Sequence, residues 1–330
     1  MNSKKKIILS GMRPTGRLHL GNYLGALQNW VKLQDEYNCY FEIADWHAMT
    51  SEFKNPKEIK ENCRDMLCVW LAVGLDPNKC TIFKQSDVPQ HLELYFIFSA
   101  ITPLGWLRRC PTYKEALGNI DNDDIKNYAF LGYPALQAAD IALYRSGKVP
   151  VGEDQLPHLE MTREIVRRFN YLYDTDIMVE PEEILTRVAR LKGTDGRKMS
   201  KSYSNTVFLT EDKKTLKQKI NQMVTDPERI RIDDTGHPEV CSIFDYKKIF
   251  DSNNVKDIKS SCRSGEIGCV ECKKLMYEKL EEFIGPVREK YRYYKENPDR
   301  VDEILYLGNK QAQKVAAKNL TDFKKAMQYG

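Results

Sequence analysis

Between Lys6 and Phe83 the chain alternates two kinds of apolar pattern, and that alternation limits what it can fold into more than any other feature. Lys6 to Gly11 is a short apolar run rich in β-branched residues, the composition of a buried strand. Gly11, Pro14 and Gly16 break it into a loop. From Leu20 to Asp35 the residues Tyr23, Leu24, Leu27, Trp30, Val31 and Leu33 recur at helical spacing. Cys39 to Ala44 reads as a second strand. Asn55 can cap a second helix, with Pro56 at its first position and Glu58 in its first turn. That helix should bury Ile59, Cys63, Met66, Leu67, Trp70 and Leu71 and stop near Gly74. Thr81 to Phe83 is a third strand. Strand, helix, strand, helix, strand predicts an α/β fold with a parallel sheet and right-handed crossovers. Ligands of such sheets bind at the carboxyl ends of the strands, where the loop Met12 to Arg17 lies.

Farther on, residues 100–184 read as mostly helical, and the chain is helical and charged from Thr210 onward. At 330 residues two domains are expected. We place them at 1–204, with a helical insertion about 105–140, and at 205–330. A net charge of +4, from 51 basic and 47 acidic residues, permits an RNA partner without demanding one. No apolar run approaches the ~20 residues of a membrane helix, and the polar start Met1 to Lys6 lacks a signal-peptide pattern. A cytoplasmic protein with reduced cysteines is therefore expected.

Two segments carry chemistry. Pro14-Thr15-Gly16-Arg17-Leu18-His19-Leu20-Gly21-Asn22 follows a strand and opens a helix. Free N–H groups and the positive dipole end suit a phosphate there, Gly21 allows close approach of adenine or ribose, and His19 and Asn22 could donate to phosphate oxygens. The same residues also suit a plain strand-to-helix turn. The second segment, Lys198-Met199-Ser200-Lys201-Ser202, follows Gly193, Thr194, Asp195, Gly196 and Arg197. Two lysines on a glycine-bearing loop form a cationic clamp for a departing pyrophosphate, or else a solvated basic loop.

Together, in this order and about 180 residues apart, the segments resemble the HIGH-type and KMSKS signatures of class I aminoacyl-tRNA synthetases. Further stretches are similar to the tryptophanyl branch: Gly21 to Ala26, Asp45-Trp46-His47-Ala48, Tyr133 to Ile141, and Val149 to Gln155. The likeness runs from about Ile7 to Ser202 and, more weakly, to the C-terminus. It implies a Rossmann-type catalytic domain followed by an all-helical anticodon-binding domain. It implies ATP with Mg²⁺, L-tryptophan and tRNA(Trp) as ligands, and a homodimer. Catalysis would fall to Lys198, Lys201, His19 and Asn22. The ATP site would comprise Arg13, Pro14, Thr15, Gly21, Asn22, Gly152, Glu153, Asp154, Leu191 and residues 198–202, that is Lys198, Met199, Ser200, Lys201 and Ser202. Tryptophan would meet Asp140, His47, Gln155 and Gln137. Its indole has one donor and no acceptor, which a buried carboxylate suits, and Ala138 and Ala139 leave room for a wide ring. Asp140 could instead cap or end a helix, and His47 could be a core histidine.

The sequence departs from the tryptophanyl pattern at three points. Arg13 stands where glutamine or a small polar residue is common, His19 where threonine is common, and Gln137 where some members have methionine. Tyrosyl-tRNA synthetase is the nearest rival reading. A non-catalytic tryptophan- or RNA-binding paralogue and a small nucleotidyltransferase are the others.

Nine cysteines are present, and four are clustered: Cys241, Cys262, Cys269 and Cys272, spaced by 20, 6 and 2 residues, with Gly265 and Gly268 allowing the loop to wrap. Four thiolates suit either zinc or a [4Fe–4S] cluster. A similar set holds such a cluster in some bacterial tryptophanyl enzymes. Unliganded cysteines remain the third option. Beyond them, Arg288, Lys290, Arg292 and Lys295 interleave with Tyr291, Tyr293 and Tyr294, a pattern able to pair phosphates with base stacking or to form an ordinary basic helix face.

Overall fold

In a computed structural model of the chain, residues 5–118, 127–185, 191–231 and 233–329 are described. Strands β1 (Ile7–Met12), β2 (Asn38–Ile43), β3 (Cys80–Lys84), β4 (Lys148–Val151) and β5 (Glu182–Leu185) form one sheet in the order β3-β2-β1-β4-β5. Every pairing is parallel. β1 is central, and its run Ile8-Leu9-Ser10 is buried, as a strand covered on both faces must be. The strand β2 buries five successive residues for the same reason.

The helices are α1 (Leu20–Asn22), α2 (Gln28–Glu36), α3 (Asp45–Glu52), α4 (Pro56–Ala72), α5 (Gln90–Ile101), α6 (Leu104–Arg109), α7 (Pro111–Gly118), α8 (Tyr128–Leu143), α9 (Leu156–Leu172), α10 (Lys213–Gln222), α11 (Ser242–Phe250), α12 (Val255–Arg263), α13 (Cys269–Glu296) and α14 (Pro298–Ala326). A π-helical turn, Tyr23–Leu27, joins α1 to α2. Trp30 of α2 stacks on Phe41 of β2 with centroids 4.7 Å apart and meets the edge of Trp70 of α4 at 5.1 Å. This aromatic contact fixes both helices on one sheet face.

The three N-terminal strands and both intervening helices stand where the apolar periods put them, with ends shifted by a residue or two. Two expectations are corrected. Asn55 precedes α4, but its side chain makes no capping bond; the helix begins on Pro56, whose fixed φ suits that position. The middle of the chain is not all helical, for β4 and β5 add two strands. Each has only four residues, and Pro150 within β4 hides it from a strand pattern.

The C-terminal helices do not stand apart from the sheet. Asn309 of α14 accepts the Lys84 N–H of β3 at 2.9 Å, and Asn319 donates to the Leu143 carbonyl of α8 at 2.9 Å. Arg64 of α4 pairs with Asp302 at 2.6 Å. Both apolar clusters of the molecule draw residues from each side of the 204/205 boundary expected from the sequence. No described helix is long and apolar enough to cross a membrane.

Candidate active site

All strands run parallel, so the segments leaving β1, β2, β3 and β4 emerge at one edge of the sheet. Among them lies a cleft of about 720 Å³. β1 leads to Arg13 and Thr15, β2 to His47, and β4 to Gly152, Asp154 and Gln155, all on the cleft wall. α8 contributes Tyr133, Gln137 and Asp140, spaced by four and three residues and so on one helix face.

The start of α1 is a reciprocal cap. His19 Nδ1 accepts the Gly21 N–H at 3.1 Å, and Asn22 Oδ1 accepts the His19 N–H at 3.0 Å. Because Nδ1 accepts, a neutral ring carries its proton on Nε2. Burial, and then the charge of Lys201, hold the His19 pKa down at about 4. A side chain at Gly21 would collide with the His19 ring.

The lysine loop is fastened to this helix start. Leu20 N–H donates to Val207 O at 2.9 Å and Leu209 N–H to Leu18 O at 3.0 Å, with His19 bridging Phe208. Lys201 Nζ donates to Thr15 O at 2.8 Å. Lys198 lies on the cleft wall, exposed. Buried Asn205 ties the loop from within: its Oδ1 accepts the Ser200 N–H at 2.8 Å, and its Nδ2 donates to Asp195 at 2.7 Å and to Lys198 O at 3.1 Å. Two segments about 180 residues apart therefore meet at one cleft.

Family membership follows independently. The model of tRNA synthetases class I (W and Y) matches residues 1–285. The chain belongs to this family. It is 48% identical to the tryptophan–tRNA ligase of Thermotoga maritima, over 97% of this chain and 98% of the relative. It is 42% identical to that of Aquifex aeolicus, over 97% and 99%. In structure it resembles the tryptophanyl-tRNA synthetase of Campylobacter jejuni complexed with ADP and tryptophan, with TM-score 0.89, 35% identity and coverage of 98% and 99%.

In this synthetase the floor of the cleft is polar. Asp140 lies near the end of α8, and its carboxylate bonds side chains from other elements in place of capping its own helix. Its Oδ2 meets His47 Nε2 at 2.8 Å, its Oδ1 meets His91 Nδ1 at 2.6 Å, and Gln85 Nε2 donates to both oxygens at 2.9 and 3.1 Å. Burial would raise its carboxyl, but the hydrogen bonds and charges of His47 and His91 outweigh it and hold the pKa at about 2. Beside it, the Glu42 carboxyl is pushed well above the usual range by burial and by the charges of Asp140 and Asp45. The nearby wall holds His158, whose Nε2 lies 2.8 Å from the Tyr133 hydroxyl and 3.0 Å from Thr112 Oγ1.

Of the residues named from the sequence, Arg13, Thr15, Gly21, Asn22, Gly152, Asp154, Lys198, Asp140, His47, Gln155 and Gln137 line the cleft. Arg13 also bonds Ser51. The others do not line it. Pro14, Leu191 and Met199 are buried in packing, Glu153 is exposed, and the Ser200 and Ser202 hydroxyls bond each other at 2.8 Å. His19 and Lys201 act on the helix start and on the Thr15 carbonyl. Glu42, Gln85, His91 and His158 carried no sequence signal beyond the scarcity of histidine, of which the chain has five.

Two C-terminal features also take shape. Arg288 is buried, donating to Glu211 O at 2.7 Å and pairing with Glu281, and Tyr291 bonds Asp65. These two are structural, which leaves Lys290, Arg292, Tyr293 and Lys295 exposed on α13, Lys295 with its Nζ 3.3 Å from Asp65. Cys241 precedes α11, Cys262 lies in the last turn of α12, and Cys269 and Cys272 open α13. Burial and the neighbouring sulfurs raise the Cys241 and Cys272 thiols, Cys272 to about 12. Arg229 Nη1 approaches Cys262 Sγ at 3.9 Å, and a side chain at Gly236 would strike that sulfur.

Proposed function

We propose that this chain activates L-tryptophan with ATP and transfers it to tRNA(Trp). The observation that carries the reading is the convergence of the α1 start, the lysine loop and a buried, ionised Asp140 on one cleft. A tryptophan carboxylate oxygen attacks the α-phosphorus of ATP in line, and the bond to the bridging oxygen breaks, releasing pyrophosphate. A ribose hydroxyl of the terminal tRNA adenosine then attacks the adenylate carbonyl, and AMP leaves. Neither step needs an enzyme nucleophile; positioning and charge stabilisation supply the catalysis. The Nε2–H of neutral His19, beside the cleft residues Gly21 and Asn22, suits a phosphate oxygen, the first N–H groups of α1 being bonded already to Val207 and His19. Lys198 stabilises charge on the leaving pyrophosphate, and Lys201 holds the loop against Thr15. Mg²⁺ would arrive with ATP and neutralise phosphate charge. Asp140 accepts the indole N–H.

Pyrophosphate–ATP exchange with each amino acid tests this. Tryptophan-dependent exchange is expected; tyrosine-dependent exchange would point to the tyrosyl reading, and none to a non-catalytic paralogue.

We also propose a metal–thiolate centre on Cys241, Cys262, Cys269 and Cys272, with a structural role joining α11, α12 and α13. The thiols of Cys241 and Cys272, raised by partial burial and by the neighbouring sulfurs, become thiolates readily only beside a cation. The absence of histidine from the set favours iron–sulfur over zinc. Iron, sulfide and zinc contents of anaerobically purified protein decide it.

The protein is proposed to act in the cytoplasm as a homodimer. α5 exposes Leu92 and Phe96, the latter at 75%, and the neighbouring α6 and α8 expose Leu104 and Tyr128. Phe96→Glu should convert a dimer to a monomer in sedimentation. RNA is assigned to the exposed Lys290, Arg292 and Tyr293.

A further inference from the structure

The floor of the cleft holds two buried carboxyl groups. Glu42 and Asp140 are 1% and 3% exposed, and both line the cleft. Two carboxyls this close cannot both ionise cheaply, so something must choose which one carries the charge. We propose that His91, backed by Tyr144 and flanked by Gln85, is a positioning residue that makes Asp140 the charged acceptor of the pocket and keeps Glu42 neutral. This rests on the tryptophan reading above.

The geometry is one-sided. His91 Nδ1 lies 2.6 Å from Asp140 Oδ1 but 4.0 Å from Glu42 Oε2. Glu42 Oε2 has no hydrogen-bond partner among the described residues, whereas Asp140 has three donors. A carboxylate only accepts, so Nδ1 must carry a proton. On a neutral ring Nε2 is then an acceptor, and it lies 2.9 Å from the Tyr144 hydroxyl. Burial first, and then the charge of Asp140, push that hydroxyl well above its usual range, so it keeps its proton to donate. The chain runs Tyr144 O–H to His91, then His91 N–H to Asp140.

Gln85 cannot turn its amide over. Its Oε1 accepts the Trp46 and His47 N–H groups at 3.1 and 3.4 Å, which forces its Nε2 toward Asp140. A carboxylate offers about four acceptor sites. The three donors make four hydrogen bonds, two to each oxygen, so the single ring N–H of tryptophan must share an oxygen that is already bonded. His91 and Gln85 themselves do not line the cleft. The ionisable groups around Asp140 are Glu42 on β2, Asp45 and His47 on α3, His91 on α5, and Tyr144 directly after its own helix.

The test compares tryptophan with β-(3-benzothienyl)alanine, which keeps the ring shape and lacks the N–H. The readouts are the ratio of the two kcat/KM values in pyrophosphate exchange and the KM for tryptophan at pH 6 and pH 8. In His91→Phe the ratio should fall at least tenfold. Its KM for tryptophan should also rise severalfold more from pH 8 to pH 6 than in the unaltered protein, because an Asp140 carboxyl without its donor takes up a proton as pH falls. His91→Asn, which restores an N–H near the Nδ1 position, should recover most of the ratio. Tyr144→Phe should move the ratio the same way by two- to threefold, and it carries the test if His91→Phe does not fold. An unchanged ratio in both variants, while Asp140→Ala abolishes it, overturns the positioning role and leaves the tryptophan reading standing. An unchanged ratio in Asp140→Ala overturns both.

Discussion

Lys198 and His19 illustrate how differently two residues of the catalytic signatures are used. Lys198 lies exposed on the cleft wall with no ion partner among the described residues, so its replacement should act on the reaction and not on folding. Lys198→Ala should depress the rate of tryptophan activation about a hundredfold, the usual scale for removing one group that meets developing charge. Its melting temperature should stay unchanged; an unaltered rate in single-turnover adenylate formation would contradict the clamp. His19 is an acceptor within a cap, and a protonated ring could not serve. Its pKa is about 4 when folded against 6.5 for the free side chain, so the unfolded chain binds the extra proton between those values. Stability from this residue is therefore complete above pH 6.5 and is lost as pH falls toward 4. Denaturant unfolding at pH 7 and pH 5 should show a larger loss for the native protein than for His19→Asn, which can cap without titrating. Equal losses would count against the assignment.

At the scale of elements, the lysine loop owes its shape to a residue outside its signature. Asn205 makes three hydrogen bonds to it, and a side chain at Gly193 would overlap the Asn205 amide. Asn205→Ala should slow activation about tenfold, since each lost bond is worth about 1 kcal/mol and the loop would spend less time in its closed shape. Tryptophan affinity measured by equilibrium binding should hardly change; a parallel loss of affinity would place the defect elsewhere. The string Lys198 to Ser202 was legible because its residue types are unusual together. Asn205 was not, because an asparagine three residues after a motif reads as loop. The α8 stripe Tyr133, Gln137, Asp140 was legible as a helical face, but its direction depends on how the helix lies against the sheet.

For the molecule as a whole, the last helix closes against the first sheet. A Cβ at Gly308 of α14 would overlap the Ile82 carbonyl oxygen of β3, a backbone atom with nowhere to move. Gly308→Ala should therefore cost about 1–3 kcal/mol and lower the melting temperature by several degrees, despite the helix-favouring nature of alanine. A rise in stability would show that the two elements are not in contact. Because α14 also bonds Lys84 and Leu143, its loosening should weaken the pocket floor, which β3 and α8 carry.

The sequence by itself determined the α/β alternation, the two signatures and the tryptophanyl likeness, because these are written in residue type and short-range period. Tertiary structure alone decided which of two carboxyls is charged, which histidine stands behind it, and that a helix from the far end of the chain braces the sheet. The reason is physical: a proton's place depends on burial and on donors brought from α3, α5 and the turn after β3 to carboxyls on β2 and α8, and no local pattern records the distances between them.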